Sequence, residues 1–173
     1  MRAIAKRLGI SATALYQHFE SKAAILHQIR VYGHELGQRE VIDRVASIDD
    51  PVDRLRAWGR AYVNFSRSNR WLYSVLMEHE QINYSEMSDE EIATHLQPLM
   101  NIRSWIAEGR ERGVIAASVD PDMTSLRIIT TVHGLCSLVN SGRVDENHPI
   151  APVRDLTAFI DEFIDSMVCT LRP

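Results

Sequence analysis

The chain has 173 residues, of which 45% are hydrophobic and 24% charged, with a net charge of −4. This is the make-up of a globular protein of one or two domains with enough chain to bury a core, and the negative balance argues against a nonspecific coat for nucleic acid. No run approaches the length of a membrane span, charges at Arg2, Lys6 and Arg7 interrupt any signal-like stretch, and Cys136 and Cys169 lack metal-ligand spacing, so they read as buried thiols of a cytoplasmic protein.

The first elements are two short helices across a tight turn. Ile4, Ala5 and Leu8 form one apolar stripe, Gly9-Ile10-Ser11 breaks the period, and Leu15 and Phe19 line the next helix, for which Ser11 is the expected N-cap. Ser21-Lys22 launches a long helix to about Val45, with Ala24, Ile25, Ile29, Tyr32, Leu36 and Val41 inward. Asp50-Pro51 supplies an N-cap followed by proline at the first helical position, and Leu55, Trp58, Tyr62 and Phe65 share a face of the helix behind it. A short helix from Asn69 carries Trp71, Leu72, Val75 and Leu76, and the polar stretch Glu78 to Met87 reads as a loop. Ser88-Asp89-Glu90-Glu91 is a capping box, and the helix behind it runs through Pro98, where a kink is expected, to about Gly113. Asp120-Pro121 opens a helix that Asn140-Ser141-Gly142 stops, Val144 to Pro152 is a loop, and a last helix runs from Val153 to Leu171. No sustained alternation marks a strand, so the fold class is all-α with about nine helices.

Two helices joined by a short glycine-containing turn form a helix-turn-helix, whose second helix can enter a DNA major groove. The same end is basic: residues 1–44 hold seven Lys/Arg, including both lysines of the chain, against four Asp/Glu. A basic end on an acidic body orients the molecule toward phosphates.

Ile4-Ala5, Leu8-Gly9-Ile10-Ser11, Leu15-Tyr16-Gln17-His18-Phe19 and Ser21-Lys22 together resemble the DNA-binding segment of TetR-family transcriptional regulators. The resemblance implies a homodimer with a helix-turn-helix unit and connecting helix over residues 1–44 and an effector-binding and dimerisation domain over 45–173. Family members carry a further helix ahead of the position of Met1, so the apolar side of Ile4, Leu8 and Phe19 is expected to be partly uncovered here.

On the second helix Thr13, Ala14, Gln17 and His18 face outward; Gln17 suits adenine, and Thr13 and Ala14 offer methyls to thymine. Tyr16 and His18 reach phosphates by the resemblance. Lys22 opposes the helix dipole where it stands, which a phosphate contact explains, and Arg2 is a second phosphate candidate. In the body Trp58, Tyr62, Phe65, Trp71, Trp105 and the methionines Met77, Met87 and Met100 are mostly core, yet they also suit a cavity for a small apolar ligand, with Tyr62, Glu78, His79 and His133 as orienting groups. His133-Gly134 resembles a mid-helix pair of the family's C-terminal domain, where Gly134 would let another helix approach. Leu126, Ile160, Phe163, Ile164, Met167 and Leu171 are expected in or near a dimer contact, which holds two recognition helices about 34–36 Å apart over a palindrome.

The function these features point to is a ligand-responsive regulator of DNA, most simply a repressor released from a palindromic operator by a small apolar effector, with no cofactor and no metal. A dimeric effector-binding or interaction protein without DNA binding is the alternative. An enzyme is disfavoured: Glu78-His79-Glu80 is the one dense cluster of acid and imidazole, and neighbouring positions on a helix diverge.

Overall fold

Polar side chains fix the starts of six helices. Ser11 Oγ accepts from Ala14 N at 3.0 Å, Ser21 Oγ from Ala24 N at 3.1 Å, and Asp50 Oδ1 from Val52 N and Asp53 N at 2.8 and 2.9 Å. Ser88 and Glu91 complete the expected capping box, Asp120 accepts from Asp122 N at 2.8 Å, and Asp155 from Ala158 N at 2.9 Å. Each bond satisfies a donor that the first helical turn leaves open.

The computed structural model describes residues 1–77 and 84–173. Among them are eight α-helices and no strand: α1 Arg2–Leu8, α2 Ala12–His18, α3 Lys22–Gly37, α4 Pro51–Ser68, α5 Arg70–Met77, α6 Asp89–Glu111, α7 Pro121–Asn140 and α8 Leu156–Cys169. Three boundaries differ from the sequence reading. The long helix from Lys22 gives way at Gln38–Ile42 to a π-helical turn, which widens the backbone before the chain enters the body. The last helix starts at Leu156 because Asp155, rather than the segment at Val153, caps it. Of the expected 78–87 loop, Tyr84–Glu86 is a 3-10 turn.

Helix α4 is the central element and packs on α6, α7 and α8. Val52, Leu55, Trp58, Val63 and Phe65 are buried along it, and Val41 and Val45 join the same core, so the end of the connector belongs to the body. Gly59 makes a close approach possible: a Cβ there would lie 2.9 Å from Ile164 Cδ1 of α8. Gly33 does the same for α3 on α5, where a Cβ would meet Leu76 at 3.0 Å and Leu72 at 3.1 Å. Gly134, by contrast, has nothing described within 4 Å of its Cβ position.

Ion pairs frame this core from outside. Arg54 meets Glu108 at 2.7 Å and Arg112 meets Glu108 and Asp49 at 2.9 and 2.8 Å, tying α4 to α6. Arg56 reaches Asp165 at 2.7 Å and Arg60 reaches Asp161 at 2.6 Å, tying α4 to α8. Cys136 is buried as expected, whereas Cys169 is exposed because it ends α8 on the outward face. Tyr32, expected inward, is also exposed, since α3 rests on its Gly33 side instead.

Ile164 has no exposed surface and fills the space above Gly59. Ile164→Ala is expected to destabilise the fold by about 2–5 kcal/mol, read as a lowered midpoint in urea denaturation with an unchanged slope.

Candidate functional site

The N-terminal unit is built around one turn. Gly9 adopts φ 70°, a left-handed conformation that ends α1 and returns its N–H to Ala5 O and Lys6 O. Ala5 and Leu15 are buried where α1 and α2 touch. With Leu15 inward, α2 turns Thr13, Tyr16, Gln17 and His18 to solvent, while Ala14 is half-buried. Tyr16 is 53% exposed, so it is not a core aromatic. Arg2 and Lys22 are exposed at the starts of α1 and α3. These side chains of three helices are thus open to solvent, as groups that contact base edges and phosphates must be. Leu8 is 62% exposed, and Ile4 and Phe19 are half-buried.

The body brings together only part of the expected pocket. Trp58 and Tyr62 stack at 5.2 Å, and Tyr62 meets Tyr73 edge-on at 5.8 Å. The Tyr73 hydroxyl lies 2.7 Å from His133 Nδ1, linking α5 to α7. Burial pushes the Tyr62 phenol up to about 12, with the Tyr73 hydroxyl partly offsetting it, and burial also pushes Tyr73 and the Cys136 thiol up. All three therefore stay protonated and neutral near pH 7. Among the described residues the Trp58 indole N–H is buried without a partner. The cluster is a packed interior patch of neutral donors and acceptors on aromatic rings.

The other expected pocket residues lie elsewhere. Trp71 is 65% exposed, and Met77 and Met100 also face solvent, because α5 buries Leu72, Tyr73 and Val75 instead. Trp105 is buried beneath the Arg54 guanidinium, 5.8 Å from its ring centre, and so serves the ionic corner of α4 and α6. Phe65 is buried toward the end of α3, near Gly37. Glu78 and His79 lie outside the described residues. Tyr73 was missed by the sequence reading, although its position three residues before Leu76 placed it on the inward side of a short helix.

The expected dimer residues divide in two. Ile160 and Ile164 are buried within the subunit, where α8 packs its stripe onto α4, and Leu171, just beyond α8, is buried at the edge of the α7–α8 groove. Leu126 is exposed, and Phe163 and Met167 are half-buried beside a groove of about 310 Å³ that Thr124, Arg127 and Ile128 of α7 also line.

Comparison with known proteins places this architecture. Residues 1–29 match the family of bacterial regulatory proteins called tetR, and residues 55–167 match the tetracyclin repressor-like C-terminal domain. Among solved structures, the ketosteroid transcriptional regulator KstR2 of Mycobacterium tuberculosis superposes with a TM-score of 0.75 at 19% identity, over 99% of this chain and 84% of that one. The TetR-family regulator PfmR of Thermus thermophilus gives 0.72 at 21% identity, over 99% and 88%. AibR, in a complex with isovaleryl coenzyme A and operator DNA, gives 0.72 at 21% identity, over 99% and 86%. No curated protein matches the chain. Among the described residues no helix is long and apolar enough to cross a membrane. With both family segments matched in order and an all-helical fold beneath them, the chain belongs to the TetR family of transcriptional regulators, and it is a regulator rather than an enzyme.

Proposed function

We propose that the chain is a ligand-responsive repressor that binds a palindromic operator as a homodimer and leaves it when a small, uncharged, largely apolar effector enters the body. The observation that carries this reading is the position of α5. One side of this helix packs Tyr73 in the interior against Tyr62 and His133, and Leu72 and Leu76 hold α3 at Gly33. A ligand that displaces Tyr73 therefore bears on the helix that carries the DNA-binding unit. Such a ligand shifts the population toward a form with wrongly placed recognition helices. AibR, of similar fold, is seen with isovaleryl coenzyme A and operator DNA together, which supports a small-molecule site and a DNA site on one such chain but not the release step or the uncharged ligand.

In this reading α2 enters the major groove. Gln17 pairs with a base edge, Thr13 and Ala14 touch thymine methyls, and Arg2, Tyr16, His18 and Lys22 hold phosphates. Residues 1–44 form the DNA-binding unit with its connector, and residues 45–173 the effector and dimer unit. Leu126, Phe163 and Met167 form the dimer face on α7 and α8, which brings two copies of α2 to one side of the assembly.

Fluorescence anisotropy on DNA from upstream of the protein's own gene tests the DNA reading. Gln17→Ala is expected to cost about 1–3 kcal/mol of affinity for the palindrome. Lys22→Ala weakens binding to all sequences alike and reduces the salt slope by about one. Equal binding of palindrome and random DNA by the unaltered chain would count against the repressor reading and favour an effector-binding dimer without DNA.

The dimer reading has its own check. Phe163→Glu places a charge on the half-buried face of α8, and sedimentation is expected to show monomer with helix content unchanged. An unaltered dimer would move the interface elsewhere.

A further inference from the structure

Helix α3 touches the body along two strips of different chemistry. The first is apolar, where Gly33 meets Leu72 and Leu76 of α5. The second is made of imidazoles. His34 and His95 of α6 meet edge-on with ring centres 6.1 Å apart, and the ring of Tyr84 packs against His95 at 5.9 Å. Two turns earlier on α3, His27 Nδ1 lies 3.9 Å from Glu91, one turn before His95 on α6.

We propose that this imidazole seam makes the hold of α3 on α6 proton-dependent, so that acidification below neutral pH loosens the DNA-binding unit from the body. Edge-on packing suits two neutral rings, because the positive edge of one faces the negative face of the other. Two imidazolium ions in the same place repel each other at half-buried positions where water screens them poorly. Among the described residues the charged and titratable neighbours are Arg30 and His27 on α3, Glu91 on α6 and the Tyr84 phenol. Arg30 adds positive charge beside His34 and sharpens the repulsion. The exposed Glu91 acts through His27, and that solvent-screened pair is too weak to reverse it.

The direction of the linkage follows from the same groups. Burial, His95 and Arg30 hold His34 below the usual histidine range, and burial does the same for His95. The packed seam therefore binds fewer protons than the separated one. Its contribution is complete above about pH 6.5, the ordinary histidine value, and is lost as the pH falls below it. Since α3 begins at the end of the recognition helix, a proton and an effector act on the same helix through different strips.

Amide hydrogen exchange on the full chain tests this without any DNA or effector. Peptides of α3 are compared with those of α4 and α7 at roughly pH 7.5 and pH 5.5, on either side of the ordinary histidine value and corrected for the intrinsic exchange rate. In the unaltered protein, α3 protection is expected to fall by about tenfold relative to α4 and α7. The His34→Gln/His95→Gln variant keeps polar side chains without titration and should hold α3 protection at both values. His95→Lys should show the loosened α3 already at the higher pH. No loss in the unaltered protein, an equal loss in the double variant, or a loss shared by every helix overturns the proposal. Should the variants fail to fold, proton–nitrogen NMR of the unaltered protein decides: midpoints for His34 and His95 at or above about 6.5 overturn it as well.

Discussion

Helix α4 has three helices of the body, α6, α7 and α8, to satisfy at once, and the rest of the structure depends on how it does so. A helix normally buries one stripe and leaves the other face wet. Here Val52, Leu55, Trp58, Gly59, Val63, Phe65 and Ser66 are all buried, because α6, α7 and α8 close around it. The missing side chain at Gly59 lets Ile164 of α8 come down onto the α4 backbone. Arg54, Arg56 and Arg60 lie on the remaining wet edge and take carboxylates from α6 and α8. Charge is thereby kept at the rim, where ion pairs need not be desolvated, and the interior is left to neutral groups.

That division of labour explains the chemistry of the interior. Trp58, Tyr62, Tyr73, His133 and Cys136 bring polar atoms into it, and burial holds the phenols and the thiol in their protonated forms. The rim arginines that could pair with an anion are already committed to Glu108, Asp161 and Asp165.

The fold was legible in the sequence because its signals are local. Ser11, Asp50, Ser88 and Asp120 mark helix starts by a bond to a backbone N–H within three residues, and each one does so in the structure. The outward set on α2 was legible for a similar reason: burying Leu15 on a seven-residue helix fixes where Gln17 and His18 point. The body was less so. Its large side chains obey the same helical period whether they meet the core, a chamber or a partner. Periodicity placed Ile160, Ile164 and Leu171 on a stripe but could not say that α4, within the same subunit, covers it. Trp71 and Tyr73 stand two positions apart on α5, and only the packing of α5 against α3 and the body decides that the tyrosine goes in and the tryptophan out. Gly134 read as the site of close approach, while Gly33 and Gly59 supply it.

The energetics of switching set a demand that these features can be weighed against. Moving a two-state equilibrium from one part in a hundred to ninety-nine takes about 5.5 kcal/mol of differential affinity. A ligand oxygen that accepts the unpartnered Trp58 N–H recovers the desolvation cost of that group, about 1–3 kcal/mol. Buried apolar area of the ligand contributes at about 25 cal/mol per Å² but counts only in so far as the two forms bury it differently. The contacts of α3 with the body include an apolar strip around Gly33, Ile29 and Leu36 against the core, and the rings of His34 and His95, which meet edge-on. In the proposed repressor, an effector that moves α5 works against these contacts of α3, and its differential affinity has to exceed what they contribute.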